Sequence, residues 1–150
     1  MLHETIVKFM LGQTVATICC TDAQNRPHCF NCCYAFDRHN HLLIFKSAAT
    51  ALHSQIIMER PGVAGTILPD KLHLFSMKGI QFSGTVLFPA ATGGKDAPAL
   101  YYKKFPLARA VPGAIYMISL TSIKMTDNSK GFGNKITWQR DDTADAATLP

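Results

Sequence analysis

The 150-residue sequence predicts an antiparallel β-barrel with added helices, and three observations carry that expectation. Seven or eight short apolar segments read as strands, against about three helical ones. Most of the strands are joined by short polar turns such as AQNR and RHNH, not by the helical crossovers that a parallel sheet needs. A content of 47% hydrophobic and 17% charged residues suits one domain over 1–150, with a frayed tail from about 142. A chain of this length buries roughly two-thirds of its unfolded surface, so neither cross-links nor metals are needed to hold it.

The elements follow in order. HETIVKFMLGQ places Ile6, Val7, Met10 and Leu11 on one helical face, with Gly12 as a stop. TVATICCTD and PHCFNCCYAFD form a hairpin across AQNR, with Pro27 at the start of its second strand, where a missing N–H does least harm. RHNH makes the next turn and LLIFKS the third strand. AATALHSQIIMER reads as a helix with Leu52, Ile56 and Ile57 turned inward, ending at Arg60-Pro61 as a solvated helix end. GVAGTIL is a strand, and KLHLFSMKGIQFSGTVLF reads as one long strand with a bulge or bend at Gly79 and Gly84. ATGGKDAPALYYKKF is a loop entering a helix, with Asp96 as N-cap and Pro98 in the first turn. In YYKKF the lysines are expected at the surface and Phe105 inside, a rim suited to anions being the alternative. GAIYMISLTSIKMTD and KITWQRDD complete the strands.

Charge and cysteine use bound the function. The formal net charge is +5, but the 15 basic residues are spread from Lys8 to Arg140. Such a field suits any anionic ligand. A nucleic-acid barrel would expose stacking aromatics, whereas Phe30, Phe45, Phe75 and Phe82 sit in apolar runs and read as buried. The charged N-terminus is unlike a signal peptide, and no apolar run approaches the ~20 residues of a spanning helix. The expectation is a cytoplasmic protein with reduced thiols and no membrane or nucleic-acid partner.

All five cysteines lie between Cys19 and Cys33. Zinc knuckles come as pairs of CxxC on tight turns, but only Cys29–Cys32 has that spacing, and it lies within a strand. Cys19 and Cys20 are adjacent and face opposite ways on a strand, as do Cys32 and Cys33. No metal site is expected, and the cluster reads mainly as barrel wall. A reactive thiol that could tune or trap a bound cofactor is the alternative, and Cys33 is the candidate.

LLIFKSAATALHSQ runs strand, lysine, serine, helix. Ser47 can cap the helix and place Thr50 at its third position, while Lys46 brings a mobile charge and His53 an imidazole one turn on. These are the parts of a phosphate site at a helix start, although any Ser-capped helix after a strand offers the same, and His53 can be a solvated helix histidine. GFG at Gly131 to Gly133 reads as a turn with a packed Phe132, not a dinucleotide fingerprint. TGGKD at Thr92 to Asp96 lacks the P-loop pattern. No Ser–His–Asp or paired-carboxylate set can be singled out, so the catalytic residues are unknown.

The order helix, hairpin, LLIFKSAATALHSQIIMERPGVAGTI and KGIQFSGTV resembles the FMN-binding split barrels related to pyridoxamine 5'-phosphate oxidase. YYKKFPLAR, SLTSIKMTDNSKGFG and KITWQRD are similar to the small, uncharacterised YhbP-type branch of that superfamily. The resemblance runs to about Asp141 and implies a six-stranded split barrel, a homodimer and one FMN per subunit at the interface. By position it implies that Lys46, Ser47, Thr50 and His53 hold the FMN phosphate. Asn31 to Cys33 would lie along the isoalloxazine and ribityl, with Gln81 reaching in from the partner subunit. Trp138 and Arg140 fall where the relatives place aromatic and basic groups near flavin or substrate, although GFGNKITWQRD departs from the oxidase's own C-terminal pattern. That departure argues against pyridoxamine phosphate oxidation itself. The implied activity is a flavin-dependent oxidoreductase or flavin reductase of unknown substrate. The alternative is a non-catalytic flavin or heme carrier or sensor, with His28, His39, His41, His53 or His73 as axial ligand.

Overall fold

Alternation of inward and outward side chains along the first hairpin sets the frame of the molecule. β1 (Val15–Thr21) and β2 (Pro27–Asp37) pair antiparallel, with Cys19 opposite Cys29. Asp22 shapes their turn by accepting from the backbone N–H of Gln24 and Arg26, each at 2.9 Å, and Asn25 takes a left-handed φ of 60°. At the next turn Asp37 accepts from the N–H of His39 and Asn40, and β3 (Leu42–Ser47) returns against β2. The computed structural model describes residues 1–87 and 96–141; most of the expected TGGKD loop and the tail from 142 lie outside them.

The remaining strands are β4 (Gly62–Ile67), β5 (Lys78–Leu87), β6 (Ala114–Asp127) and β7 (Lys135–Gln139). Their order is β3-β2-β1-β4-β5-β6-β7, and β3 also pairs with β6, which closes six strands into an antiparallel barrel. One edge of β6 serves β3 along Ala114 to Ser119 and then β7 along Ser122 to Thr126. β7 therefore extends the sheet where β3 leaves it, which is the split of the barrel.

A bulge in β6 makes that hand-over possible. Ser83 pairs with Ser122, but Gly84 pairs with Leu120, leaving Thr121 as the extra residue. The inward set changes parity across it, from Tyr116, Ile118 and Leu120 to Ile123 and Met125. Gly84 is required there, because a Cβ would lie 2.6 Å from both Ile118 Cγ2 and the Ser119 carbonyl oxygen.

Two apolar layers result. The barrel interior holds Ile18, Phe45, Ile67, Phe82 and Ile118, together with Ile6 and Met10 from α1 (Glu4–Gly12). The buried Tyr34 hydroxyl donates to the Met10 carbonyl at 2.6 Å and pins that helix. Outside the barrel, α3 (Ala97–Lys104) lays Ala97 and Tyr101 over Ala35, Ile44 and Met117. β3 is thus covered on both faces, which is why LLIF reads as a continuous apolar run. α2 (Leu52–Glu59) buries Ile56 and Ile57 near β1 and β2.

Several expectations are corrected. Leu11 and Leu52 are exposed at 47% and 60%, and Phe9 takes the buried place on α1. The long strand begins only at Lys78; Leu74–Ser76 is a short 3-10 turn, and Phe75 is fully exposed instead of buried in a strand. Phe132 is exposed too, although the positive φ of Gly131 and Gly133 fits the expected turn. Lys104 is half-buried, donating to the carbonyls of Gln13 and Tyr34, the latter at 2.9 Å. Arg60 is exposed, as expected of a solvated helix end, and in addition donates to Asn25 Oδ1 at 3.1 Å, which ties the end of α2 to the first turn. Among the described residues no helix is long and apolar enough to cross a membrane, and no cluster of metal ligands occurs.

Candidate functional site

β3 ends by splitting its two last residues between the two faces of the sheet. Phe45 and Ser47 follow the inward parity, while Ile44 and Lys46 face the α3 layer. The Lys46 ammonium donates to the Tyr102 hydroxyl at 2.9 Å and to the Ala108 carbonyl at 2.8 Å. The Arg109 guanidinium lies 4.5 Å from the centre of the same tyrosine ring. Gly113, at φ +152°, presses on this strand end, and a Cβ would reach 3.1 Å from the Ser47 carbonyl oxygen.

On the other side Ser47 Oγ lies 2.5 Å from His53 Nε2, and Ser54 donates to Ser47 Oγ at 3.4 Å. Phe30 stacks on the His53 ring, with centroids 3.8 Å apart and planes 9° from parallel. Burial holds the imidazole pKa below its ordinary value and so favours the neutral ring. Ser47 is not the helix cap, contrary to expectation. Residues 48–51 intervene, Ala51 stands at the N-cap with no side-chain acceptor, and Thr50 lies exposed before the helix. The first N–H groups of α2 are therefore left without a cap beside a serine, a threonine and a histidine. Such a helix start carries unpaired donors and the positive end of the dipole, which together suit an anion.

The other expected residues fall elsewhere on the protomer. Asn31, Thr17, Thr66, Gln81, Lys124 and Thr137 are successive cross-strand partners and form one outward row from β2 to β7. Thr17 Oγ1 donates to Asn31 Oδ1 at 2.7 Å. Cys33 is exposed on this face, one outward position beyond Asn31. Gln81 lines a groove of about 660 Å³ on it, together with Cys19, Thr66 and Lys124, whereas Trp138, opposite the inward Ile123, borders that groove but packs its side chain against the barrel core.

Trp138 packs half-buried, 4.8 Å from the His41 ring. Arg140 donates to the carbonyls of Leu120 at 2.9 Å and Asn40 at 3.2 Å, which fastens β7 beside the bulge. Ser47 pairs with Ala114 at one end of β3 and Leu42 with Ser119 at the other. At ~3.3 Å per residue that places Arg140 and Trp138 well over 10 Å from the Ser47–His53 pair. One protomer thus brings together Ser47 and His53, with Thr50 exposed in the short loop between them. It sets Lys46 on the opposite face and keeps Asn31, Cys33, Gln81, Trp138 and Arg140 apart from them. Phe30 and the bare Ala51 cap were missed in the sequence; the first is signalled only by its cross-strand register and the second only by where the helix begins.

No family model matches the chain. It is 37% identical over 137 residues to a UPF0306 protein of Photorhabdus laumondii, covering 91% of this chain and 95% of that one. Among solved structures, a heme binding protein from Mycobacterium smegmatis superposes with a TM-score of 0.74 at 11% identity, over 87% of this chain and 55% of that chain. A pyridoxamine 5'-phosphate oxidase-related, FMN binding protein from Nostoc punctiforme gives 0.66 at 11% identity, over 93% and 91%. These structural likenesses bear on the fold alone, and the fold is the split barrel related to pyridoxamine 5'-phosphate oxidase. The chain belongs to the UPF0306 family.

Proposed function

We propose that this UPF0306 member, within the YhbP-type branch of the split barrels, binds FMN and serves as a flavin-dependent oxidoreductase or flavin reductase. The observation that carries the proposal is the Ser47–His53 contact at the first turn of α2, a helix whose N-cap Ala51 offers no side-chain acceptor. Ser47, Thr50 and the open N–H groups would take the phosphate, and His53 would become an additional donor once protonated. Lys46 braces the strand end through Tyr102 and Ala108 and stays outside the phosphate set. The flavin would supply the two-electron chemistry, and the protein its placement and electrostatics.

The scatter of the remaining residues supports a homodimer. Gln81 lies in an outward groove, on the face of the sheet opposite to the inward parity of Ser47, so a second copy is what would bring it to the cofactor. Asn31 and Cys33, exposed on β2, would flank the ring system. Heme, which a neighbour of the same fold binds, fits less well at this site, because the Nε2 of His53 is engaged by Ser47 and its ring is stacked against Phe30.

The test is the visible spectrum of the untreated protein, followed by titration of the apo form with FMN and turnover with NADH or NADPH. A yellow protein, or tight binding near one FMN per subunit, supports the proposal. Turnover makes it an enzyme, and binding without turnover makes it a carrier or sensor. A colourless protein blind to FMN overturns the cofactor assignment.

A further inference from the structure

Two of the five cysteines meet across the first hairpin in a way that no barrel-wall role explains. Cys19 and Cys29 are direct cross-strand partners on the outward face, and their sulfurs lie 2.8 Å apart. Cys29 is exposed and Cys19 half-exposed. The ladder shows why they approach so closely. The N–H of Tyr34 donates to the Thr14 carbonyl at 3.0 Å, so the pair 14/34 is hydrogen-bonded. Alternation in an antiparallel ladder then makes 16/32, 18/30 and 20/28 hydrogen-bonded pairs, and 15/33, 17/31 and 19/29 the close, non-hydrogen-bonded ones. Such pairs hold their Cα atoms about 4.5 Å apart, inside the range that a disulfide spans, about 4.4 to 6.8 Å.

The other three thiols cannot compete. Cys20 is buried on the inner face opposite His28, and Cys32 packs inward against the barrel core. Cys33 shares the outer face but pairs with Val15, four residues from Cys29 and so roughly 13 Å away along the strand. The thiol pair is specified by register, not by mere abundance of cysteine.

We propose that Cys19 and Cys29 form a reversible cross-strand disulfide on exposure to a peroxide, which makes the outer face of this hairpin a two-electron oxidation site. The Cys29 thiolate attacks the peroxide, the O–O bond breaks, and Cys29 becomes a sulfenic acid as hydroxide leaves and is protonated to water. Cys19 sulfur then attacks Cys29 sulfur, the S–O bond breaks, and the second hydroxide leaves as water with the Cys19 proton. Two thiols and one hydrogen peroxide give one disulfide and two waters. A small thiol returns the electrons by exchange. The order of events follows from the pair's asymmetry. Its hydrogen bond with Cys29 first, and burial second, push the Cys19 thiol up to about 11, so Cys19 keeps its proton while the open Cys29 meets the oxidant. The inference does not rest on the flavin assignment.

The test treats the whole protein with hydrogen peroxide, blocks remaining thiols, and cleaves before Asp22 and Asp37. Cleavage there separates Cys19 and Cys20 from Cys29, Cys32 and Cys33, which trypsin does not do because Arg26 precedes Pro27. Two of the five thiols should be lost, with the two fragments linked through Cys19 and Cys29 and separated again by dithiothreitol. Cys29→Ser and, independently, Cys19→Ser should abolish the link, and Cys33→Ser should leave it intact. Retention of all five thiols, linkage through Cys33, linkage only between chains, or a link that survives Cys29→Ser would each overturn the proposal.

Discussion

Replacing Ser47 by alanine is the sharpest probe of the proposed phosphate site, because FMN and riboflavin differ only in the group it would touch. Ser47 Oγ lies 2.5 Å from His53 Nε2, next to a helix start with no side-chain cap. A hydroxyl donating to a phosphate is a charge-assisted hydrogen bond, worth about 1.5–3 kcal/mol. At about 1.4 kcal/mol per factor of ten, FMN affinity should fall about ten- to a hundred-fold. Riboflavin affinity should change by no more than about two-fold, since no phosphate bond is lost. The fold should survive, because losing one half-buried neutral hydrogen bond costs roughly 1 kcal/mol, a few degrees of Tm at this size. Flavin fluorescence quenching on titration of apo-protein with each ligand reads the ratio, and a thermal melt supplies the control. Equal losses for FMN and riboflavin, or no loss for either, would refute the phosphate assignment.

Four other outcomes are expected. Because burial lowers the His53 pKa, the empty site holds a neutral imidazole, and a bound phosphate that raises it must draw in a proton. FMN affinity should therefore decline as pH rises from about 6 to 8, and His53→Gln should flatten the profile; a wild-type profile that rises instead would remove His53 from the site. In the apo-protein the same shift has the opposite reading: the unfolded state binds more protons, so this contribution to stability is present above about pH 6.5 and is lost as pH falls through the folded pKa. Lys46→Met should lower Tm by several degrees through loss of its bonds to Tyr102 and Ala108, yet leave the FMN-to-riboflavin affinity ratio within about two-fold, and a selective loss of FMN would return Lys46 to the phosphate. Gly84→Ala should destabilise by about 1–3 kcal/mol in urea unfolding, because its methyl would meet Ile118 Cγ2 and the Ser119 carbonyl oxygen at 2.6 Å.

The barrel was legible because its signals are local and repeated. AQNR and RHNH close turns that Asp22 and Asp37 organise with their own carboxylates, and LLIFKS coincides with β3 from Leu42 to Ser47. Gly84 lies opposite the irregularity, but the extra residue is Thr121 of β6 and not in the long strand where the glycines were expected to place it, and Gly79 keeps a regular pairing with Thr126. What failed is what periodicity cannot reach. KLHLFSMK is as apolar as its neighbours, but Leu74 and Phe75 sit on a 3-10 turn at the surface, since the pairing with β4 stops at Ile67–Ile80 and that with β6 at Lys78–Asp127. On α1 the exposed Leu11 and buried Phe9 differ by a modest rotation of the helix, which is fixed by the tie of Tyr34 to Met10 and not by the helix's own pattern.

The expected residues are placed differently from the reading of the motif for a single geometric reason. FKSAATALHSQ reads as one continuous anion cradle when every residue after the strand is counted as helix. β3 instead keeps its two-residue period to the end, so adjacent Lys46 and Ser47 must part, one toward Tyr102 under the α3 layer and the other toward His53. The helix then starts at Leu52 with Ala51 at its cap, which removes Ser47 as a cap but frees its hydroxyl and leaves the first N–H groups open. A serine that caps its own helix would have spent that hydroxyl on backbone donors and would have less to offer a ligand. The start is displaced four residues from where the sequence suggests, so the anion site proposed at this junction has different members from the one the motif implied. The same parity governs the cysteines. It turns Cys20 and Cys32 into wall and core, and sets Cys19 against Cys29 on the open face. Residue type alone could not separate these roles, whereas strand register does.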